Sequence, residues 1–221
     1  MSVGGSLLVP NEVDSLFLRD FLKLIQSEIR KGRRFILITG GGKVCRQYQA
    51  ALKEVVSSAS VTELDWLGIA VTHLNARLVQ LAFGKLAHRM IVTDASKRTN
   101  FKEKVLVAGG WKPGRSTDDD AVRLAKIYGA KTVINLSNVD YIYNSDPRTH
   151  SDAKKIERLS WVQYRKMFGS KWSPGAHIPF DPVASRLAQQ NKATVVFLNG
   201  ANLANVKSYL DGGPFVGSVI E

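Results

Sequence analysis

Cysteine is almost missing from this 221-residue chain, where Cys45 stands alone. A single thiol excludes an intramolecular disulfide and a thiolate metal cluster within one chain, and it fits a reducing, cytoplasmic setting. Long hydrophobic runs are missing too. The strongest apolar windows, such as 35–38, fall far short of the roughly 20 residues that cross a bilayer. Glycines and a proline interrupt the first ten residues before any apolar stretch forms, so neither a membrane span nor a cleavable signal is expected. Acidic residues are scarce beside basic ones, 19 against 31, for a formal charge of +12. Such an excess favours a polyanionic partner. The basic residues are nevertheless scattered over 30–34, 97–104, 154–158 and 165–171, with no interleaved aromatic series. A phosphate-rich small substrate or a solvated basic surface satisfies that pattern as well as RNA or DNA would, and nucleic acid is not the expected partner. Internal repeats and low-complexity tracts are likewise absent.

What is present is ordinary globular material, 44% hydrophobic and 23% charged, in a length sufficient for a substantial core. Short β-branched or apolar runs alternate with amphipathic stretches, the pattern of βαβ units around a mainly parallel sheet, and the fold class is therefore α/β. Strands are predicted at 34–39, 89–93, 104–108, 132–136, 193–198 and 215–220, and helices at 14–31, 44–58, 62–86, 117–128, 160–167, 181–190 and 203–210. Only three residues precede Gly4, so the first strand is short. Segments 144–155 and 172–182 read as loops, the second because it holds three prolines.

Three glycine clusters fall where strands should end: Gly4-Gly5 before Ser6, Gly40-Gly41-Gly42, and Gly109-Gly110. Glycine lets the backbone approach a ligand closely, and a following helix offers free amides at the positive end of its dipole, so each turn can hold an anion. A tight strand-to-helix turn is the better explanation of any one of them alone; their recurrence points to phosphates. None matches a Walker loop or the spaced dinucleotide fingerprint.

On the helix predicted at 62–86, Asp65, Gly68, Thr72 and Asn75 fall within an arc of roughly 80°. Leu64, Leu67, Val71, Leu74 and Leu78 form the adjoining stripe. One face is expected to pack on the sheet and the other to line a pocket. Asp65 suits ribose hydroxyls, while Thr72 and Asn75 serve close helix packing equally well. The four histidines, His73, His88, His150 and His177, have no partner set that marks catalysis or zinc binding, and no protein metal site is expected.

Taken in order, these segments resemble the UMP kinases of the amino-acid-kinase family, particularly the archaeal type, along nearly the whole chain. The resemblance is carried by GGSLLVP (4–10), GGGKVCR (40–46), D-x-x-G-x-x-x-T-x-x-N (65–75) and GG-x-x-PG-x-STD (109–118). It continues through NVDYIYNSDP (138–147), DAKKI (152–156) and FDPVASRLA (180–188). It implies a three-layer α/β/α sandwich in one domain, with an acceptor-binding half at about 1–130 and an ATP-binding half at about 131–221. The implied reaction is transfer of the γ-phosphoryl group of ATP to UMP, with Mg²⁺, a step of pyrimidine nucleotide synthesis. A homo-oligomer, a hexamer in the family, is implied as well. By similarity, Gly4, Gly5 and Ser6 cradle the transferring phosphate, Gly41, Gly42 and Arg46 hold the phosphate of UMP, and Asp65 binds its ribose. Gly68, Thr72 and Thr117 complete the acceptor site. Ser137, Asn138, Asp140, Tyr143, Asp146 and Pro147 lie along ATP, and Asp181 sits near the transferred phosphate. Asp181 and Asp118 also read as helix N-caps.

Two departures stand out. Many family members place a lysine two residues before the first glycine pair, where this chain has Ser2, and Lys43 is the expected replacement. Tyr141 stands where glycine is usual. The missing lysine keeps open a non-catalytic relative such as a molybdenum storage protein, or a kinase for another phosphorylated acceptor, while Arg46, Asp65 and Thr117 favour UMP.

Overall fold

The computed structural model describes residues 1–147, 149–169 and 178–221. In chain order they form β1 (Ser2–Val3), α1 (Gly5–Leu8), α2 (Ser15–Arg30), β2 (Phe35–Thr39), α3 (Gly42–Val55), α4 (Val61–Phe83) and a 3₁₀ turn (Gly84–Leu86). There follow β3 (Val105–Ala108), α5 (Thr117–Tyr128), β4 (Thr132–Ser137), β5 (Ile142–Tyr143), β6 (Lys155–Ile156), β7 (Arg158–Leu159) and α6 (Trp161–Phe168). The last elements are α7 (Pro182–Gln190), β8 (Thr194–Asn199), α8 (Leu203–Leu210) and β9 (Ser218–Ile220).

The main sheet runs β3-β2-β1-β4-β8-β9-β7. All its pairings are parallel except β8 with β9. Near-continuous apolar strands such as Val105–Ala108 are buried throughout, as strands covered on both faces must be. Alternation divides the core in two. Phe35, Leu37, Val105, Val107, Ile134 and Leu136 meet α1, α2, α4 and α8 on one face. Ile38, Leu106, Ala108, Val133, Val195 and Phe197 meet α5, α6 and α7 on the other. The expected three layers are present.

Several predicted boundaries move. The strand expected at 89–93 is reduced to isolated bridges, Ala87 to Val105 and Val92 to Ala108, beside β3. The helix expected to reach residue 86 stops at Phe83, because Gly84 adopts φ +54° and the chain tightens into the 3₁₀ turn. The strand expected from 215 begins at Ser218. The short α1 and the β5–β6 hairpin went unanticipated, since two- to four-residue elements carry too little periodicity to read. Within the predicted loop 172–182, positions 172–177 lie outside the described residues, and so does His177.

The two faces of α4 are also redistributed. Gly68, Thr72, Asn75, Ala76 and Val79 are buried, whereas Leu74 is 66% exposed. The small-residue face is therefore packed, and of the adjoining stripe Leu64 and Val71 are buried, Leu67 and Leu78 are half-buried and Leu74 is exposed.

At the centre of the sheet, the turn after β1 and the turn after β2 touch backbone to backbone. A Cβ added to Gly5 would lie 2.0 Å from Gly42 N, and one added to Gly40 would lie 2.5 Å from Gly5 N. Gly42 itself has φ +69° with Gly5 O 2.4 Å from its would-be Cβ. Backbone cannot retreat as a side-chain tip can, so Gly5→Ala is expected to destabilise the protein by about 1–3 kcal/mol. Thermal denaturation followed by circular dichroism measures this; an unchanged midpoint would show that the turns are not tightly apposed.

Candidate active site

In a parallel α/β sheet, ligands collect outside the carboxyl ends of the strands where the strand order reverses. Here β2 and β3 lie to one side of β1 and β4 and β8 to the other, and that rule points to the strand end at Gly4 and Gly5. Of the α-helices in the described residues, α2, α4, α5, α6, α7 and α8 each have a side-chain N-cap, from Asp14, Ser60, Ser116, Ser160, Asp181 and Asn202. α1 and α3, which follow Gly4 and Gly41, have none. No side chain caps their first turns, which leaves Gly5 N, Ser6 N and Gly42 N for an anion while Lys43 N is taken by Val9 O, and the glycine contact sets the two helix starts side by side. The Gly109-Gly110 turn differs from the expectation, because α5 begins only at Thr117 and a loop intervenes.

That loop is held from four sides. The Thr72 hydroxyl accepts from Gly110 N at 2.7 Å while donating to Ile69 O, and His73 Nε2 bonds Gly110 O at 2.7 Å. Asp120 accepts from Trp111 N, and Asp65 Oδ2 accepts from Gly114 N at 2.8 Å. Asn75 donates to Gly40 O at 2.8 Å and to Gly41 O at 3.3 Å, drawing those carbonyls toward α4. Thr72 thus acts on the Gly110 turn. Gly68 makes room for α3, since a Cβ there would meet Gln49 at 3.0 Å and Cys45 at 3.1 Å. Arg46 is exposed on α3, and Lys43 in the first turn of α3 donates to Asn11 at 2.6 Å. Thr117 opens α5 on the same edge.

Beneath Gly4 lies a carboxylate pair. Asp118 accepts from Asn135 Nδ2 at 2.9 Å and from the Ser2 hydroxyl at 3.3 Å, and its other oxygen accepts from Asp181 N at 3.3 Å. The hydroxyl stands where a lysine was expected. Burial, and then the charge of Asp181, push the Asp118 carboxyl up to about 7. Asp181 caps α7 by accepting from Ala184 N at 2.7 Å. Asp118 is not a cap; Ser116 takes that place. Asn135 and Ser2 were not foreseen as site residues. A lone asparagine inside the apolar strand TVINLS was the available signal.

On the other side of β1, Ser137 ends β4 and Asn138 and Asp140 lie in the loop after it. Gly4 N donates to Leu136 O at 2.9 Å, which ties this loop to the central turn. Ser137 Oγ closes a small turn with Val139, and Asp140 accepts from Asn199 at the end of β8. Tyr143 ends β5, edge-on to Tyr141 at 6.3 Å between centroids, and Asp146 and Pro147 begin the connection to β6. Gly200, a fourth turn glycine, donates to Ser137 O; a Cβ on it would lie 2.3 Å from Leu7 of α1.

Comparison with known proteins identifies the family and the fold. Residues 1–199 match the model of the amino acid kinase family. The uridylate kinase of Methanospirillum hungatei is 32% identical over 223 residues, covering 100% of this chain and 93% of the relative. That of Archaeoglobus fulgidus is 33% identical over 222 residues, covering 100% and 98%. The crystal structure of the A. fulgidus uridylate kinase superposes with a TM-score of 0.83. The UMP kinase of Ureaplasma parvum, at 19% identity and a TM-score of 0.77, shares the fold.

Asp120, fully buried with Oδ1 lacking a hydrogen-bond partner among the described residues, is also pushed up to about 7 by burial and by Asp119. Both acids bind a proton more tightly folded than unfolded, where carboxyls titrate near 3.8. The stability they contribute is complete below that value and is lost as pH rises through about 7. Between pH 5 and 8 the melting temperature should therefore fall, and Asp120→Asn, which keeps an acceptor for Trp111 N, should flatten that fall. An identical slope in the variant would contradict the assignment.

Proposed function

The chain belongs to the amino acid kinase family, in its uridylate kinase branch, and on that premise we propose that it transfers the γ-phosphoryl group of ATP to UMP, giving UDP and ADP. The observation that carries the reading is the pair of uncapped helix starts, α1 and α3, brought together at the switch point of the sheet. Two anions held there lie side by side, and nearness is most of what phosphoryl transfer asks of a protein.

In this reading the acceptor occupies the half at about 1–130 and ATP the half at about 131–221. The phosphate of UMP rests on Gly41, Gly42 and Arg46, and its ribose on Asp65. Thr117 borders the phosphate, while Gly68 and Thr72 shape the wall. Gly4, Gly5 and Ser6 face the transferring phosphoryl group, and ATP lies along Ser137, Asn138, Asp140, Tyr143, Asp146 and Pro147. A UMP phosphate oxygen attacks the γ-phosphorus as its bond to the ADP oxygen breaks. That oxygen is already ionised near neutral pH, so the chemistry needs charge neutralisation more than a base. Lys43, beside the Gly42 amide, is the nearest candidate for the cation that Ser2 does not provide. Asp118 and Asp181 fit Mg²⁺, which takes one or two carboxylates and draws the rest of its shell from phosphates and water. When bound, Mg²⁺ offsets phosphate charge.

Self-association belongs to the same proposal. Trp66, Leu74 and Leu81 lie on one outward stripe of α4, with 54%, 66% and 65% exposure, and a second copy would cover them as the hexamer of the family requires. Among the described residues no helix is long and apolar enough to cross a membrane, and a cytoplasmic site of action fits the lone thiol.

Coupled ADP-release assays with ATP, Mg²⁺ and UMP, CMP, dUMP, isopentenyl phosphate or no acceptor test the reaction. UMP-dependent release is expected, falling on the order of tenfold or more in Lys43→Ala; ATP binding without release for any acceptor would overturn the proposal. Leu74→Glu should reduce the sedimenting mass, and an unchanged mass would remove α4 as the interface.

A further inference from the structure

Two tyrosines in this fold perform the same operation on the backbone, one beside the carboxylate pair and one far from it. Tyr164 on α6 is fully buried. Its hydroxyl donates to Phe180 O at 2.6 Å and accepts from Phe180 N at 2.8 Å. One oxygen thus holds both polar groups of the residue that precedes Asp181. The ring is fixed in turn, with Phe168 at 4.8 Å and Trp161 at 6.2 Å between centroids, and Trp161 also packs on Phe180 at 5.9 Å. Burial, joined by the charges of Asp118 and Asp181, drives the phenol well above its ordinary range, so it stays a neutral donor at any working pH. Tyr128 at the end of α5 holds Thr99 in the same way, donating to its carbonyl at 2.6 Å and accepting from its amide at 2.9 Å. That clamp lies beside Arg34 and Phe101, at the opposite end of the strands.

We propose that Tyr164 is a positioning residue for the reaction: its hydroxyl fixes the Phe180 peptide and so sets where the Asp181 carboxylate stands relative to Asp118 and the transferring phosphate. Among the described residues Asp181 is otherwise held by its own cap bond to Ala184, by Ser185 N on its carbonyl and through its amide to Asp118. None of these bonds fixes the direction from which the chain enters α7. The inference rests on the kinase reading given above, in which Asp181 faces Mg²⁺ and phosphate.

Tyr164→Phe and Tyr128→Phe remove the same two hydrogen bonds and keep the ring. Both should lower the melting temperature. Only Y164F is expected to lower kcat, by on the order of tenfold to a hundredfold, and to raise the Mg²⁺ concentration for half-maximal rate, with KM for UMP within about twofold of the parent. Equal kcat and Mg²⁺ dependence in the two variants would reduce Tyr164 to a structural residue. If the parent protein releases no ADP, the kinase reading fails, and the comparison is then read by calorimetry as weakened binding of ATP with Mg²⁺ in Y164F alone; equal binding overturns the inference. Amide hydrogen exchange on the intact protein reads the clamp without any substitution. The Phe180 amide should be as protected as the Thr99 amide before nucleotide is added, and free exchange at Phe180 would overturn the proposal.

Discussion

The architecture turns on one contact, the backbone-to-backbone crossing of the Gly4-Gly5 and Gly40-Gly42 turns. Atoms this close leave no space for a Cβ on either side, so the contact dictates glycine at both turns before any ligand is considered. It also fixes a distance. Because the turns feed α1 and α3, their apposition brings two helix starts without side-chain caps together over the middle of the sheet. Val9 O accepts from Lys43 N across the same junction, so the exit of α1 is tied to the entry of α3. Everything proposed for two phosphates at this edge descends from that geometry.

Around it the chain arranges supports rather than reagents. Asn75 draws back the carbonyls of the second turn, and Thr72 and His73 hold the third by its amide and its carbonyl. The carboxylate pair is the exception. With a serine hydroxyl and an asparagine amide in place of a cation, Asp118 has no positive partner among the described residues, and burial beside Asp181 favours its protonated form. An arriving metal-bound polyphosphate would supply that positive charge from outside the protein.

Much of this was legible in the sequence. Apolar runs long enough to alternate gave β2, β3, β4 and β8, and residues 117–128 and 203–210 formed helices at the expected bounds. Glycine clusters after strands marked the turns, because close backbone approach leaves a compositional trace. Legibility failed where the reason for a residue lies in a distant segment. Nothing local distinguishes Thr72 as a support for Gly110 from Thr72 as a ligand, or shows that the Ser2 hydroxyl meets a carboxylate 116 residues away. On α4 periodicity located the stripe, in which Leu64 and Val71 are buried, but it gave no sign that Leu74 is left outside.

Cys45 shows how such packing shapes what the chain can become. Its sulfur would lie 3.0 Å from a Cβ on Gly41 and 3.1 Å from one on Gly68, so it fills a slot that both glycines keep open. The three positions therefore form one heritable unit. A side chain at 41 would meet the Cβ of residue 45 at 2.5 Å as well as the sulfur, and one at 68 would meet Gln49 at 3.0 Å beside the sulfur, so changes at 41 and 68 need movement at 45 and, for 68, at 49. The order in which these substitutions accumulate is constrained, and a lineage that keeps the cysteine has closed two other positions to change.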